Sequence, residues 1–214
     1  MQSQLVHSNF VVAARQFNPS IFSQLWLVKH EIASEKDFEG GESICTPAVV
    51  QLRSPRFVLM VLPDQLQLAP LPVQEAHSEL IADMIGKIVQ KLPETPYVAV
   101  GINFHWTMEA DPDEFVAFSR AIFYRENALY NQFAEQDARF GGYLSKDILG
   151  TRLRLDVKPT KTGTGDEEVE RFLFAFNFQI DLGSDNAVSE IQRMANQWNA
   201  AKDHAAEIIH VLEN

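Results

Sequence analysis

The clearest pattern in the chain is an alternation of apolar and polar residues between positions 170 and 182. Phe172, Phe174, Phe176, Phe178 and Ile180 recur at every second position. Side chains two apart on a β-strand point to the same face of the sheet, so these five residues predict one apolar stripe. The residues between them become polar toward the C-terminal end. The pattern therefore predicts a long strand with one buried face and one face that meets solvent.

Other segments show either the same alternation or an apolar spacing of three and four residues. Short alternating or continuous apolar runs predict further strands at residues 10–16, 48–53, 56–62, 65–68, 97–108 and 144–157, the last with a turn near Gly150. Helical spacing predicts helices at residues 21–33, 73–92, 111–133 and 189–212, and the acidic, glycine-containing stretch 34–43 predicts a loop. Strands and helices of this kind indicate an α+β fold.

The order of the predicted elements repeats along the chain. Residues 1–93 and residues 94–214 each read strand, helix, strand, strand, helix, and the segments match in pattern. Phe10-Val11-Val12-Ala13 corresponds to Tyr97-Val98-Ala99-Val100, and Arg56-Phe57-Val58-Leu59 corresponds to Arg171-Phe172-Leu173-Phe174. We interpret this as an internal duplication packed as one continuous globular unit. The alternative stays open, because this order of elements is common enough to recur by chance.

Two such halves joined edge to edge form one curved antiparallel sheet with helices packed on one face. This layout resembles the TATA-binding-protein-like duplicated fold, in which two halves form a saddle. The resemblance rests on the order of the elements and covers most of the chain, and it implies the fold alone. The acidic balance of the chain departs from the DNA-binding members of that fold.

The charge and the cysteine content of the chain bear on its possible partners and on disulfide formation. The 214 residues carry a formal net charge of −11, and the basic residues are scattered rather than clustered, so we expect no nucleic-acid partner. The single cysteine, Cys45, excludes an intramolecular disulfide. No apolar run approaches the length of a membrane span and no secretory signal pattern is present, so we expect a cytoplasmic location and no membrane association.

Polar residues on the predicted strands form the most specific candidate for a binding or catalytic site. Asn103 and His105 alternate with Phe104 and Trp106, so they share the face opposite the aromatic residues. The corresponding face of neighbouring strands would carry Arg152, Arg154, Asn177 and Gln179. Such a patch is suited to an anionic or sugar-like ligand, and His105 would be able to act as an acid or base. The alternative is the ordinary solvated face of an antiparallel sheet.

Patterns for metal, cofactor or nucleophilic chemistry are missing from the sequence. The six histidines are dispersed, no HExxH motif or cysteine pair occurs, and Cys45 has no recognisable histidine partner. We therefore predict no metal, no cofactor and no catalytic residue. The sequence favours a non-enzymatic binding or assembly protein that uses the open sheet face or an edge strand to hold a protein partner or another copy of itself. The alternative is a small-ligand protein or enzyme with a polar pocket around Asn103, His105 and Asn177.

Overall fold

A computed structural model describes residues 2–73, 75, 77–162 and 169–213, and these residues form one antiparallel sheet of nine strands. The strands are β1 (Gln2–Ala14), β2 (Ser43–Cys45), β3 (Val50–Arg53), β4 (Phe57–Val61), β5 (Gln65–Pro70), β6 (Tyr97–Glu109), β7 (Gly142–Ile148), β8 (Thr151–Thr162) and β9 (Val169–Asp181). Their order across the sheet is β2-β3-β4-β5-β1-β6-β9-β8-β7. The fold is therefore α+β, as the sequence predicts.

Five α-helices accompany the sheet in the described part of the chain. They are α1 (Gln24–Lys29), α2 (Ser78–Lys91), α3 (Pro112–Phe123), α4 (Ala187–Asn196) and α5 (Trp198–Glu213). None of these helices combines the length and the apolar character that a bilayer crossing requires.

One face of the sheet forms the core, and the predicted phenylalanine stripe lies on it. Phe172, Phe174, Phe176 and Phe178 of β9 are all fully buried, whereas Ile180 is only partly buried at the strand end. The helices supply aromatic partners for this face. Phe115 of α3 stacks on Phe172 with ring centres 4.4 Å apart. The intervening residues of β9 remain partly exposed, so the inside–outside assignment of this strand is confirmed.

β1 and β6 lie side by side near the middle of the sheet and separate the strands of the first part of the chain from those of the second. β1 pairs antiparallel with β6 along nearly their whole length. The other strands of residues 1–93 lie on one side of this pair, and those of residues 94–214 lie on the other. The two parts contribute five and four strands, whereas the repeated order of strand, helix, strand, strand, helix has three in each. The internal duplication, the boundary near residue 93 and the resemblance to the saddle fold stay predictions.

Two differences from the predicted strands have a common cause. β1 begins at Gln2 instead of residue 10, and β2 begins at Ser43, the last residue of the predicted loop, in a stretch for which the sequence predicts no strand. The early part of β1 carries the polar residues Gln4, His7 and Asn9 on the face opposite the core, and all three residues of β2 are exposed. A strand without an apolar stripe shows little alternation in the sequence. Such strands are therefore recognised only from their backbone pairing with a neighbouring strand in the structure.

The helices are shorter than predicted or are divided. The predicted helix at residues 189–212 is two helices, α4 and α5, because the chain turns at Gln197 and Trp198 then packs on Phe104. α1 starts after Ser23, whose hydroxyl accepts a hydrogen bond from the Trp26 amide at 3.1 Å. α2 begins at Ser78 and α3 ends at Phe123. The polar, glycine-containing stretch 159–168 predicts a hairpin loop. Residues 159–162 belong instead to β8, and residues 163–168 lie outside the described residues.

Candidate functional site

The sheet face opposite the core carries small and polar side chains on its central strands. We call this the open face. At its centre, β6 contributes Gly101, Asn103 and His105, which alternate with the buried Ile102 and Phe104. The neighbouring strands β1, β8 and β9 add polar side chains in the same phase. This is the surface on which the sequence placed the candidate residues.

A continuous row of hydrogen-bonded side chains crosses five strands of the open face. We call it the amide ladder, and it consists of Gln67 of β5, Asn9 of β1, Asn103 of β6, Asn177 of β9 and Arg154 of β8. Asn177 Nδ2 donates to Asn103 Oδ1 at 2.7 Å. Asn103 Nδ2 donates to Asn9 Oδ1 at 2.8 Å, and Asn9 Nδ2 donates to Gln67 Oε1 at 3.0 Å. At the other end, Arg154 Nη1 donates to Asn177 Oδ1 at 3.4 Å.

Strand register explains why these side chains meet. Asn9 lies directly opposite Asn103, and Asn103 lies directly opposite Asn177. Arg154 in turn lies opposite Asn177. Opposed residues of an antiparallel pair have β-carbons about 5 Å apart, which is within reach of an amide-to-amide hydrogen bond. Each strand has an apolar face that fixes its register, so the core determines which polar side chains become neighbours.

All donors of the amide ladder point the same way, from the Arg154 guanidinium toward Gln67. Hydrogen bonds that run in one direction polarise one another, and a cation at the donor end strengthens this effect. Arg154 Nη1 also donates to Gln179 Oε1 at 3.0 Å. No carboxylate among the described residues lies within 4.0 Å of Arg154. Its positive charge is therefore shared with neutral amide oxygens, and it remains able to attract an anion.

The structure brings together four of the six residues that the sequence singled out. Asn103, Arg154, Asn177 and Gln179 form connected hydrogen bonds. Arg152 lies opposite Gln179 but forms its ion pair with Asp147 on β7 at 3.0 Å. Together with Arg154 and Gln179, it lines a surface cavity of about 420 Å³. His105 does not join the amide ladder and faces another histidine instead.

His7 of β1 and His105 of β6 lie opposite each other with ring centres 5.2 Å apart. Both side chains are partly buried. Burial lowers the pKa of His7 below its ordinary 6.5. The pKa of His105 is lowered by burial and also by the charge of His7. Sequence reasoning missed His7, Asn9 and Gln67, because the alternating polar positions of β1 and β5 have meaning only once their pairing is known.

We expect the histidine pair to make the chain less stable at mildly acidic pH. Because both pKa values are lower in the folded chain than in the unfolded one, the unfolded chain binds more protons as the pH falls through 6.5. The free energy of unfolding therefore decreases from about pH 6.5 until the pH passes below the folded-state pKa values. Urea unfolding at pH 7.0 and 5.5 should show a larger loss for the natural chain than for the double variant His7→Gln/His105→Gln. An equal loss in both would contradict this assignment.

A second surface feature lies at the edge of the sheet. A groove of about 510 Å³ is bounded by β7, by the end of α3 and by the C-terminal turn of α5. Its floor is the core face of β8 and β9, where Leu155, Val157 and Phe174 are buried. Its rim includes two exposed apolar side chains, Leu144 and Val211. Tyr143 also borders the groove, but it lies opposite Asp156, so its side chain belongs to the other face of the sheet. We call this feature the edge groove. It exists because the helices do not cover the sheet as far as its β7 edge.

In the described part of the chain, no group of three or more His, Cys, Asp or Glu side chains is arranged to hold a metal ion. Cys45 is exposed, and the structure shows no disulfide for it. Comparison with protein-family models found no match, and comparison with curated proteins found no significant match.

Proposed function

We propose that this chain is a non-enzymatic binding protein that holds an extended segment of a protein partner along β7 and in the edge groove. The observation that carries the proposal is an exposed edge strand lying directly beside an apolar groove. Edge strands bind peptides by adding a strand to the sheet, and adjacent pockets then select alternate side chains.

The β7 edge is suited to strand addition. β7 is the last strand of the sheet, so one side of its backbone has no strand partner among the described residues. It has seven residues, whereas β2 at the opposite edge has only three. Very short edges are one way in which proteins avoid unwanted pairing. The longer β7 edge, with Tyr143 65% exposed and Leu144 55% exposed, has less of this protection.

The edge groove supplies the selectivity of the proposed site. Leu144 on β7 and Val211 on α5 face it from two sides, and Arg125 lies at its rim. Burying such exposed apolar surface contributes about 25 cal/mol per Å², so a partner with bulky apolar side chains at alternate positions gains most. Contiguous exposed apolar surface of this kind marks interaction sites in soluble proteins.

The charge of the chain favours a different protein over a second copy as the occupant. Each chain carries a net charge of −11, and two such chains repel each other at long range. A partner segment that is apolar and flanked by basic residues meets no such barrier. A second copy remains a distinguishable outcome of the experiment described next.

Replacing Val211 with Lys should abolish partner binding without unfolding the chain. Val211 is 76% exposed and lies in the last turn of α5, where a cation is favourable to the helix dipole. Peptides selected on the natural chain from a display library, about seven to ten residues long like an ordinary strand, should bind Val211→Lys at least about tenfold more weakly, a difference of about 1.4 kcal/mol. Hydrogen exchange should show that the bound peptide protects the β7 amides.

A matched control is available on α1. Leu25 is also 76% exposed and does not line the edge groove, so Leu25→Lys should change peptide affinity by less than about twofold. The proposal fails if the two variants bind alike, if β7 gains no protection, or if the selected peptides lack alternate apolar residues. A dimer that forms through Val211, seen by light scattering, would identify a second copy as the occupant. A strictly monomeric chain that selects no peptide would overturn the proposal.

The second candidate function is small-ligand binding at the amide ladder. The observation in its favour is that Asn103, Arg154 and Asn177 converge within hydrogen-bonding distance on the open face. The observation against it is that Asn9, Asn103 and Asn177 use their donors and acceptors on one another. Few groups then remain for a ligand, so we rank this function below partner binding.

A further inference from the structure

The two histidines on the open face are held opposite each other by the backbone. His7 and His105 are register partners on β1 and β6, the two central strands of the sheet. The register shifts between Leu5 and His7, and this irregularity sets the phase in which His7 faces His105. Both residues lie within paired strands of the sheet.

The separation of the rings is compatible with a shared metal ion. Two imidazoles bound to one tetrahedral ion at about 2.1 Å place their ring centres about 5.3 Å apart. The observed separation is 5.2 Å, with the ring planes inclined by 49°. Rotation about the Cβ–Cγ bonds selects which nitrogen of each ring faces the other. The ring centres therefore already lie at this spacing without an ion.

The imidazole nitrogens of both histidines are available. No hydrogen bond joins the His7 or His105 ring to another side chain or backbone group among residues 2–73, 75, 77–162 and 169–213. The side chains next to the pair on the open face are neutral: Gln4 and Thr107 on one side, and Asn9 and Asn103 on the other. The nearest charged position on the same row is Asp156, which lies across Ala175 and pairs with Lys158.

The pair is accessible to a metal ion, which binds imidazole in its neutral form. The rings are only partly buried, so an ion and the waters that complete its coordination can reach them from solvent. Imidazole ligands favour zinc, nickel and copper over magnesium and calcium, which prefer oxygen.

We propose that His7 and His105 together bind one divalent ion of the zinc, nickel and copper class, with solvent completing the coordination. Two protein ligands leave the remaining positions of the ion open to water or to an exchangeable ligand. This site is separate from β7 and the edge groove, so it can fail or succeed independently of the proposed partner binding. It is also separate from the amide ladder, whose hydrogen bonds it leaves intact.

Calorimetric titration of the natural chain with Zn²⁺ and with Ni²⁺ tests the site. We expect one ion per chain, and we expect His7→Gln and His105→Gln each to weaken binding by about tenfold or more, since even the loss of a residue behind a ligand costs that much. Nitrogen-detected NMR of the histidine rings adds a readout that does not depend on variants. Zn²⁺ should shift the ring nitrogens of His7 and His105 together and at the same ion concentration.

The main competing site is on α5, where His204 and His210 lie near Glu207 and Glu213. His204→Gln and His210→Gln are therefore the matched controls, and they should leave the high-affinity ion in place. The proposal is overturned if these controls remove the ion, or if the His7 and His105 variants keep it. It is also overturned if the ring nitrogens of the central pair do not respond to Zn²⁺. Circular dichroism of each variant separates loss of the ion from loss of the fold.

Discussion

Replacing Phe176 with Asp is expected to leave the chain unfolded at room temperature. Phe176 is buried in the middle of β9, with its ring edge-on to that of Trp106 at 5.5 Å. Truncating a buried phenylalanine costs about 3–5 kcal/mol by itself. An unpaired carboxylate at the same place adds the cost of removing a charge from water. The sum reaches the whole stability of an ordinary domain, about 5–15 kcal/mol.

The control for this variant is the same change three residues earlier on the same strand. Leu173 lies on the open face, partly exposed and opposite Lys158 on β8. Leu173→Asp places a carboxylate beside a cation, so we expect a cost of about 1 kcal/mol from the lost apolar contact alone. Circular dichroism and urea unfolding of both variants measure the difference. A folded Phe176→Asp chain together with an unfolded Leu173→Asp chain would reverse the inside–outside assignment of β9.

The sequence predicts those parts of the fold in which an apolar stripe is long and regular. The stripe of β9 and the alternation of β6 lead directly to two central strands of the sheet, because burial on one face requires period two. The same reasoning fails for β2 and for the first part of β1, which have little apolar stripe to detect. It also joins α4 and α5 into one helix, since nothing in the residues around Gln197 breaks the helical spacing.

The sequence allows several residues of the candidate site to be predicted, but not the contacts between them. Asn103 and Asn177 stand out on their own strands by alternation alone. Their contact, however, depends on the register between β6 and β9, and the contact to Asn9 depends on the pairing of strands far apart in the chain. Register is fixed by how the cores of all strands pack together, so no single strand encodes it. His7 gained meaning in the same way, from its position opposite His105.

The edge groove shows what the spacing of apolar residues in the sequence does not predict. Leu144 and Val211 are apolar residues within predicted elements. Both are exposed, because the sheet extends past the helices that cover its centre. A pattern of apolar residues indicates which face is suited to burial. It does not indicate whether the same chain or a partner covers that face, and this is why the groove supports a binding function.

Replacing Asn103 with Ala is expected to cost about 2–3 kcal/mol, although the residue lies outside the core. Asn103 is the middle of the amide ladder, and it makes hydrogen bonds of 2.8 Å to Asn9 and 2.7 Å to Asn177. Its removal leaves Asn9 Oδ1 and Asn177 Nδ2 without these partners. Asn9 is only 7% exposed, so water replaces the lost contact poorly there. An unsatisfied buried polar group costs about 1–3 kcal/mol, and urea unfolding measures the total.

Comparing the stability cost of Asn103→Ala with that of Gln67→Ala, at the end of the amide ladder, shows whether the hydrogen bonds of the ladder act cooperatively or independently. Gln67→Ala removes a single hydrogen bond at the terminal acceptor, so it should cost about 1 kcal/mol. Gln67 and Asn103 do not contact each other, and costs at sites without shared partners add within about 0.5 kcal/mol. These two sites share Asn9, so the double variant should deviate from additivity by more than that if the hydrogen bonds polarise one another. Ordinary surface substitutions change the free energy of unfolding by less than about 0.5 kcal/mol. A cost below that value for Asn103→Ala would mean that water replaces the hydrogen bonds of the amide ladder without loss of stability.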